Sequence, residues 1–245
     1  MVALVFSVSG ASAAEKVSIE LVLATDTSIS VDAAEFHLQM SGIAAAFRNS
    51  EIIDLIESLP NGAAVCLVHW SVGHLNRVAV PWFHVTDRQS ALLFAALVEL
   101  APRINTGRGT GIADAIDFSA RQIEIGPYEG QVRKIDVSGD ERSNSGPPTY
   151  QARDRAVDAG LTINGLSIQG LDRYLHQYYR EQVIGGPSAF AMTIGGFEDF
   201  RRAIHLKLLR ELAPSASMDD APGASQWSVA SNPLPREIDD TGQQN

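Results

Sequence analysis

The tightest constraint on this chain is the segment Val17 to Ala24 (VSIELVLA), which becomes apolar on both faces toward its end. A strand of that kind must be covered on both sides, as happens inside a mostly parallel sheet flanked by helices. Behind it comes Asp26-Thr27-Ser28-Ile29-Ser30, in which every residue but Ile29 carries a side-chain oxygen. Phe36, Met40, Ile43 and Phe47 then recur at spacings of 4, 3 and 4, the stripe of an amphipathic helix. Ser30 or Asp32 is placed to cap that helix.

The alternation continues along the chain. Ala63 to Trp70 reads as a second strand and Arg77 to Val85 as a third, which Pro81 assigns to a sheet edge. A helix is expected over Asp87 to Leu100, with Leu93, Ala96, Leu97 and Leu100 on one face. Ile104 to Gly109 is a Gly-rich loop, and Gly111 to Glu124 a helix that aligns Ile112, Ile116, Ala120 and Ile123. Val132 to Ser138 is a strand running into Gly139-Asp140, followed by a helix over Thr149 to Ala159. Leu161 to Ile168 and Ala189 to Ile194 are the last strands. In the closing segment, Phe197 to Leu212, apolar residues Phe200, Ile204, Leu208 and Leu212 are spaced by four. This order predicts an α/β fold: a doubly wound, mostly parallel sheet with one antiparallel edge strand and helices on both faces.

Composition narrows the function. The chain has 29 acids against 19 lysines and arginines, a net charge of −10, and no dense basic run, which excludes a nucleic-acid backbone binder. Cys66 is the single cysteine, so no internal disulfide forms, and its apolar surroundings mark it as a buried hydrophobe. Residues 1–14 are uncharged, mostly apolar over Val2 to Val8, and end in Ala11-Ser12-Ala13, the pattern of an export signal without its basic start. No run is long enough to span a membrane. The expected organisation is a signal peptide over 1–14, one domain over 15–213 and a disordered acidic tail over 214–245, in a protein that is exported, periplasmic or secreted.

Ligands in open parallel sheets bind where strands end. Three such loops are rich in oxygen: Asp26-Thr27-Ser28-Ile29-Ser30, the stretch holding Thr106 and Thr110, and Ser138-Gly139-Asp140. A hard divalent cation takes about six oxygen ligands. Asp-x-Ser-x-Ser can supply three from one turn, and a Thr and an Asp from neighbouring loops extend the set. Taken alone, Asp26-x-Ser28-x-Ser30 reads equally as a helix cap and turn cluster. The conjunction of three such loops in this order is what favours a metal.

The chain resembles the von Willebrand factor A (vWA) domain with its metal-ion-dependent adhesion site (MIDAS), and more narrowly the DUF1194 group of exported bacterial vWA-like proteins. The segments that carry the likeness are ELVLATDTSISVDAAEF (Glu20 to Phe36), VHWSVG (Val68 to Gly73), GTGIADAIDF (Gly109 to Phe118), IDVSGD (Ile135 to Asp140), DAGLTINGLSI (Asp158 to Ile168) and VIGGPSAF (Val183 to Phe190). The resemblance implies metal binding by Asp26, Ser28, Ser30, Thr110 and Asp140. Ser28 and Ser30 would act directly, Asp26 and Asp140 mainly through water, and Thr110 either way. It implies Mg2+ (or Mn2+ or Ca2+) and a protein partner that presents a carboxylate. The chain departs from the vWA pattern at Ile29, where glycine is usual, and at Gly139-Asp140-Glu141, where Thr-Asp-Gly is usual.

Other residues offer less. Asp136 shares a strand face with Ser138 and Asp140, either supporting the site from below or pairing with a neighbouring strand or helix. Glu141 and Asn144 can line the rim. Tyr174, Tyr178 and Tyr179 cluster near Val183-Ile184-Gly185-Gly186. The six histidines include no close ligand pair, there is no Gly-x-Ser-x-Gly elbow, and Gly107-Arg108-Gly109-Thr110-Gly111 lacks the Gly-Lys-Ser/Thr ending of a phosphate loop. An aspartyl-phosphate hydrolase would carry a second aspartate at position 28, which is serine. The leading expectation is a binding module rather than an enzyme. A metal-assisted hydrolase, and a scaffold or small-ligand carrier with a vestigial site, are the rivals.

Overall fold

The computed structural model describes residues 14–103 and 107–213; the expected signal over 1–14 (but for Ala14), the expected tail over 214–245 and Thr106 lie outside the described residues. Six strands form one sheet in the order β3-β2-β1-β4-β5-β6. They are β1 (Glu15–Asp26), β2 (Ala63–Trp70), β3 (Arg77–Val85), β4 (Tyr128–Gly139), β5 (Thr162–Ile168) and β6 (Ala191–Ile194). Every neighbouring pair is parallel except β2 with β3, so the strand that contains Pro81 is the antiparallel edge.

Among the described residues seven α-helices cover the sheet: α1 (Ala33–Phe47), α2 (Ser50–Ser58), α3 (Arg88–Leu100), α4 (Ile112–Ile125), α5 (Thr149–Asp158), α6 (Leu175–Tyr178) and α7 (Phe200–Leu212). α1 starts at Asp32, whose side chain accepts from Glu35 N–H while the Glu35 carboxylate accepts from Asp32 N–H. Ser30 is thereby released from capping. Odd-numbered residues of β1, from Ile19 to Leu23, pack under α1, α2, α3 and α7, and Val22 and Ala24 pack under α4, α5 and α6. That two-sided burial is what VSIELVLA demanded.

Three features differ from the sequence reading. The connection from β1 to β2 holds two helices, not one, because Asn49 caps a second start and Ile52, Ile53 and Ile56 bury a short stripe. The buried face of α3 is Ala91, Phe94, Ala95 and Val98, and Leu93, Leu97 and Leu100 point outward. α3 carries two apolar stripes; small alanines let Phe94 reach Phe47, with ring centroids 4.6 Å apart, and that contact selects the stripe.

The third lies in the partners of Asp136, whose pairing with a neighbouring strand or helix was one of its two readings: they make a buried ionic group behind the sheet. Asp136 faces α7, where Lys207 Nζ lies 2.8 Å from its Oδ1 and 3.0 Å from Glu211 Oε1. Asn164 Nδ2 donates to both Glu211 oxygens at 2.8 Å, and Lys134 Nζ stands 3.7 Å from Glu211 Oε2. Burial opposes the charge on Lys207, but Asp136 and Glu211 outweigh it and hold its pKa above the ordinary range. Of the two roles open to Asp136, pairing with a helix is the one observed.

Strands added after β1 go first to one side (β2, β3) and then to the other (β4, β5, β6). The reversal opens a crevice between the ends of β1 and β4, where Asp26 and Gly139 terminate their strands.

Candidate metal centre at the strand ends

β1 delivers Asp26 into this crevice fully buried. Its Oδ1 accepts a hydrogen bond from the Ser28 N–H at 2.7 Å, which folds the following turn back over the strand end. Ser28 Oγ and Ser30 Oγ lie 2.9 Å apart, and Ser30 Oγ donates to Asp140 Oδ1 at 2.9 Å. The first and third loops therefore meet through one chain of hydroxyls and a carboxylate. Thr110, also buried, donates from Oγ1 to Glu141 Oε2 at 2.9 Å, which brings in the second loop. All five residues expected from the sequence stand at the same strand ends, Thr110 joining through the neighbour of Asp140.

The departures from the vWA pattern have a structural account. Ile29 has no left-handed backbone angle, and its N–H donates to Gly107 O at 3.1 Å. A β-branched residue is therefore unstrained there, and its side chain is 56% exposed on the rim. Glu141 turns inward to Thr110, placing a third carboxylate beside Asp26 and Asp140.

Several supporting residues escaped the sequence reading in whole or in part. Arg103 donates through Nη2 to Ser28 O at 3.1 Å and to Val31 O, clamping the first loop from behind. Gln39 Nε2 donates to Asp26 O at 3.1 Å. Asn144, expected on the rim, ties two loops: its Oδ1 accepts from Thr110 N–H at 2.8 Å and its N–H donates to Thr110 O at 2.9 Å. Asp114, in the first turn of α4, presses against loop backbone, since a methyl group on Gly73 would sit 2.6 Å from its Oδ2. An acid in a helix's first turn was the one local cue; Arg103 and Gln39 act across the fold and had none.

The electrostatics are unbalanced. Burial, then the charge of Asp140, pushes Asp26 up to about 8, although Ser28 donors oppose the shift. Burial pushes Asp140 up to about 6, against the Ser30 hydroxyl and with Glu141 adding to the rise. Acids crowded in this way are what a bound cation relieves. Asp26 Oδ2 is buried with no hydrogen-bond partner, and an orphaned anionic oxygen beside two serine hydroxyls fits a hard, oxygen-seeking ion. Among the described residues no group of three or more His, Cys, Asp or Glu side chains is placed to hold a metal. The donor set is instead hydroxyls plus carboxylates, which suits Mg2+ or Mn2+ better than a zinc site of nitrogen and sulfur.

Comparison with known proteins places the fold. The model of a family described as "Protein of unknown function (DUF1194)" matches residues 16–216. No curated protein matches the chain. Among solved structures, proximal thread matrix protein 1 from the mussel byssus superposes with a TM-score of 0.59 at 17% identity, covering 81% of this chain and 48% of that one. A form of the same protein described as having a zinc-occupied MIDAS motif gives 0.54 at 15% identity, with 81% and 48% coverage. A von Willebrand factor type A structure from Catenulispora acidiphila gives 0.52 at 15% identity, with 81% and 43% coverage. This chain thus spans about half the length of the mussel protein. At these identities the likeness is one of fold, a vWA-like α/β domain.

Proposed function

The chain belongs to the DUF1194 family, whose function is unknown, and from that premise we propose a binding module that docks a partner protein through a divalent metal at its strand ends. One observation carries the reading: three loops bring Asp26, Ser28, Ser30, Thr110, Asp140 and Glu141 together at the sheet's switch point, with a buried carboxylate oxygen left unpartnered. Asp26, Ser28, Ser30, Thr110 and Asp140 are the residues that would hold the ion, the two serines directly and the two aspartates mainly through water. The zinc-occupied MIDAS motif of the mussel protein supports the same assignment. When bound, Mg2+ or Mn2+ supplies Lewis acidity toward an anionic ligand oxygen.

The chain's own residues do the rest. Two of the ligating groups are neutral hydroxyls, so the site offsets less positive charge than an all-carboxylate cage and favours a carboxylate from outside. Arg103 and Gln39 fix the first loop before any ligand arrives, which lowers the ordering cost of binding. Ile29 gives the rim an apolar contact next to the anionic one. Among the described residues no helix is long and apolar enough to cross a membrane, and the export-type start of the sequence puts the module outside the cytoplasm in this proposal.

Calorimetric titration with Mg2+ tests the metal. Wild type is expected to bind and Asp26→Ala to bind at least about tenfold more weakly; equal heats would count against the site. Capture of an envelope protein that is lost on adding EDTA would support docking, and capture indifferent to EDTA would oppose it.

A further inference from the structure

The strand-end site leaves Asp26 Oδ2 without a partner, and a second orphan lies close by. Tyr179 is fully buried and its hydroxyl has no hydrogen-bond partner. Phenylalanine would fill the same space, and burying a phenol with nothing to bond is unfavourable. A hydroxyl kept there implies something for it to act on.

Two glycines show where it points. α6 runs into a single π-helical turn, Tyr179–Val183, which lays the Tyr179 ring over the sheet. A Cβ on Gly165 of β5 would meet Tyr179 Cδ1 at 2.7 Å. A Cβ on Gly139 of β4 would meet Tyr179 Oη at 2.9 Å, Trp70 Cζ2 at 3.0 Å and Asp26 Oδ2 at 3.1 Å. Neither glycine has a left-handed backbone angle, so conformational freedom does not explain them. They form a trough across β5 and β4, and the phenol lies along it with its oxygen toward Asp26 on β1. Tyr179 Oη and Asp26 Oδ2 flank the bare Gly139 Cα, within about two hydrogen-bond lengths of each other. The charges of Asp26 and Asp140 both reach the phenol.

We infer that Tyr179 is a positioning residue of the docking site, its hydroxyl donating to Asp26 Oδ2 through one bridging water and so fixing that carboxylate at the strand ends. This rests on the metal-docking reading for its consequence, though not for its geometry. Tyr178 supplies a contrast on the adjacent residue: its hydroxyl is already satisfied by Thr149 Oγ1 at 2.7 Å.

The test has a metal arm and a metal-free arm. In the first, Mg2+ is titrated calorimetrically into wild type, Tyr179→Phe and Tyr178→Phe. Tyr179→Phe keeps the ring and is expected to weaken Mg2+ roughly tenfold, with Tyr178→Phe unchanged. In the second, tyrosine is labelled at 13Cζ and spectra are recorded in EDTA for wild type, Asp26→Asn and Asp136→Asn. The Tyr179 resonance is expected to move in Asp26→Asn and to stay in place in Asp136→Asn. A Tyr179 signal indifferent to Asp26→Asn overturns the inference, whatever the titration gives. So does a Tyr179→Phe protein that binds Mg2+ as wild type does. If wild type takes up no metal, the docking reading fails by itself, and the labelled spectra still decide whether phenol and carboxylate are joined. That arm leaves Tyr179 intact, so it also decides the matter if Tyr179→Phe fails to fold.

Discussion

The crowded acids make the metal-free protein less stable as pH rises, and the size of the effect follows from Asp26. Its pKa is pushed up from 3.8 to about 8, by burial first and Asp140 second. Between those values the folded chain holds a proton that the unfolded chain has lost. Stability therefore falls as pH rises through this window and levels off above about 8. At 1.36 kcal/mol per pKa unit, roughly 2 kcal/mol is lost between pH 6.5 and pH 8.5. Asp140 and Asp136, each pushed up to about 6, act mainly below that range. His69, pushed down from 6.5 to about 4 by burial and then by Arg103, has an effect of opposite sign that adds back only about 0.4 kcal/mol between pH 6.5 and pH 8.5. For a folded unit of this size about 2 kcal/mol corresponds to a fall in Tm of roughly 4–8 °C. Differential scanning calorimetry in EDTA at the two pH values reads it. Asp26→Asn removes the ionisation, so its Tm is expected to stay nearly level and to exceed that of wild type at pH 8.5. Saturating Mg2+ favours the ionised carboxylates and is expected to raise the wild-type Tm more at pH 8.5 than at pH 6.5. A wild-type Tm in EDTA that does not fall over this interval, or a fall of the same size in Asp26→Asn, would refute the reasoning.

Two further outcomes separate core from surface. Lys207→Met leaves Asp136 and Glu211 buried against each other with their shared cation gone, and is expected to cost about 3–5 kcal/mol in urea denaturation; a loss under 1 kcal/mol would show that the acids are neutral in the fold. Phe94→Ala is expected to cost about 3–5 kcal/mol, whereas Leu100→Lys on the opposite face of α3 stays within about 0.5 kcal/mol; reversed magnitudes would mean that the outward leucines are covered.

Much of the fold was legible because burial leaves a pattern in one dimension. β2 and β3 begin and end where composition and Pro81 put them, and the buried spine of α7 is the Phe200, Ile204, Leu208, Leu212 series. Periodicity stopped being informative where a helix offers two apolar stripes. On α3 the choice between Leu93/Leu97/Leu100 and Ala91/Phe94/Val98 is made by Phe47, which lies far away in sequence. Nor does any pattern announce Lys207 and Glu211 as buried. They read as solvated residues of a C-terminal helix until Asp136 and Asn164 are placed opposite them.

The candidate site divides the same way, and the division says what kind of site it is. Groups that would touch an ion come from loops at one end of the sheet, two directly behind β1 and β4 and the third, with Thr110, between α3 and α4, so loop position and oxygen chemistry together were enough to pick them out. Groups that hold those residues in place (Arg103, Gln39, Asn144, Tyr179) come from elements whose approach only the closed fold defines. Gly139 shows the limit most plainly. In the sequence it marks the end of a strand next to Asp140. In the structure a side chain there would strike Tyr179, Trp70 and Asp26 together. A methyl group there could be accommodated only if one of the three moved, so the bare backbone at 139, the indole, the phenol and the carboxylate are placed by one another, and no reading of Gly139 alone could have shown it.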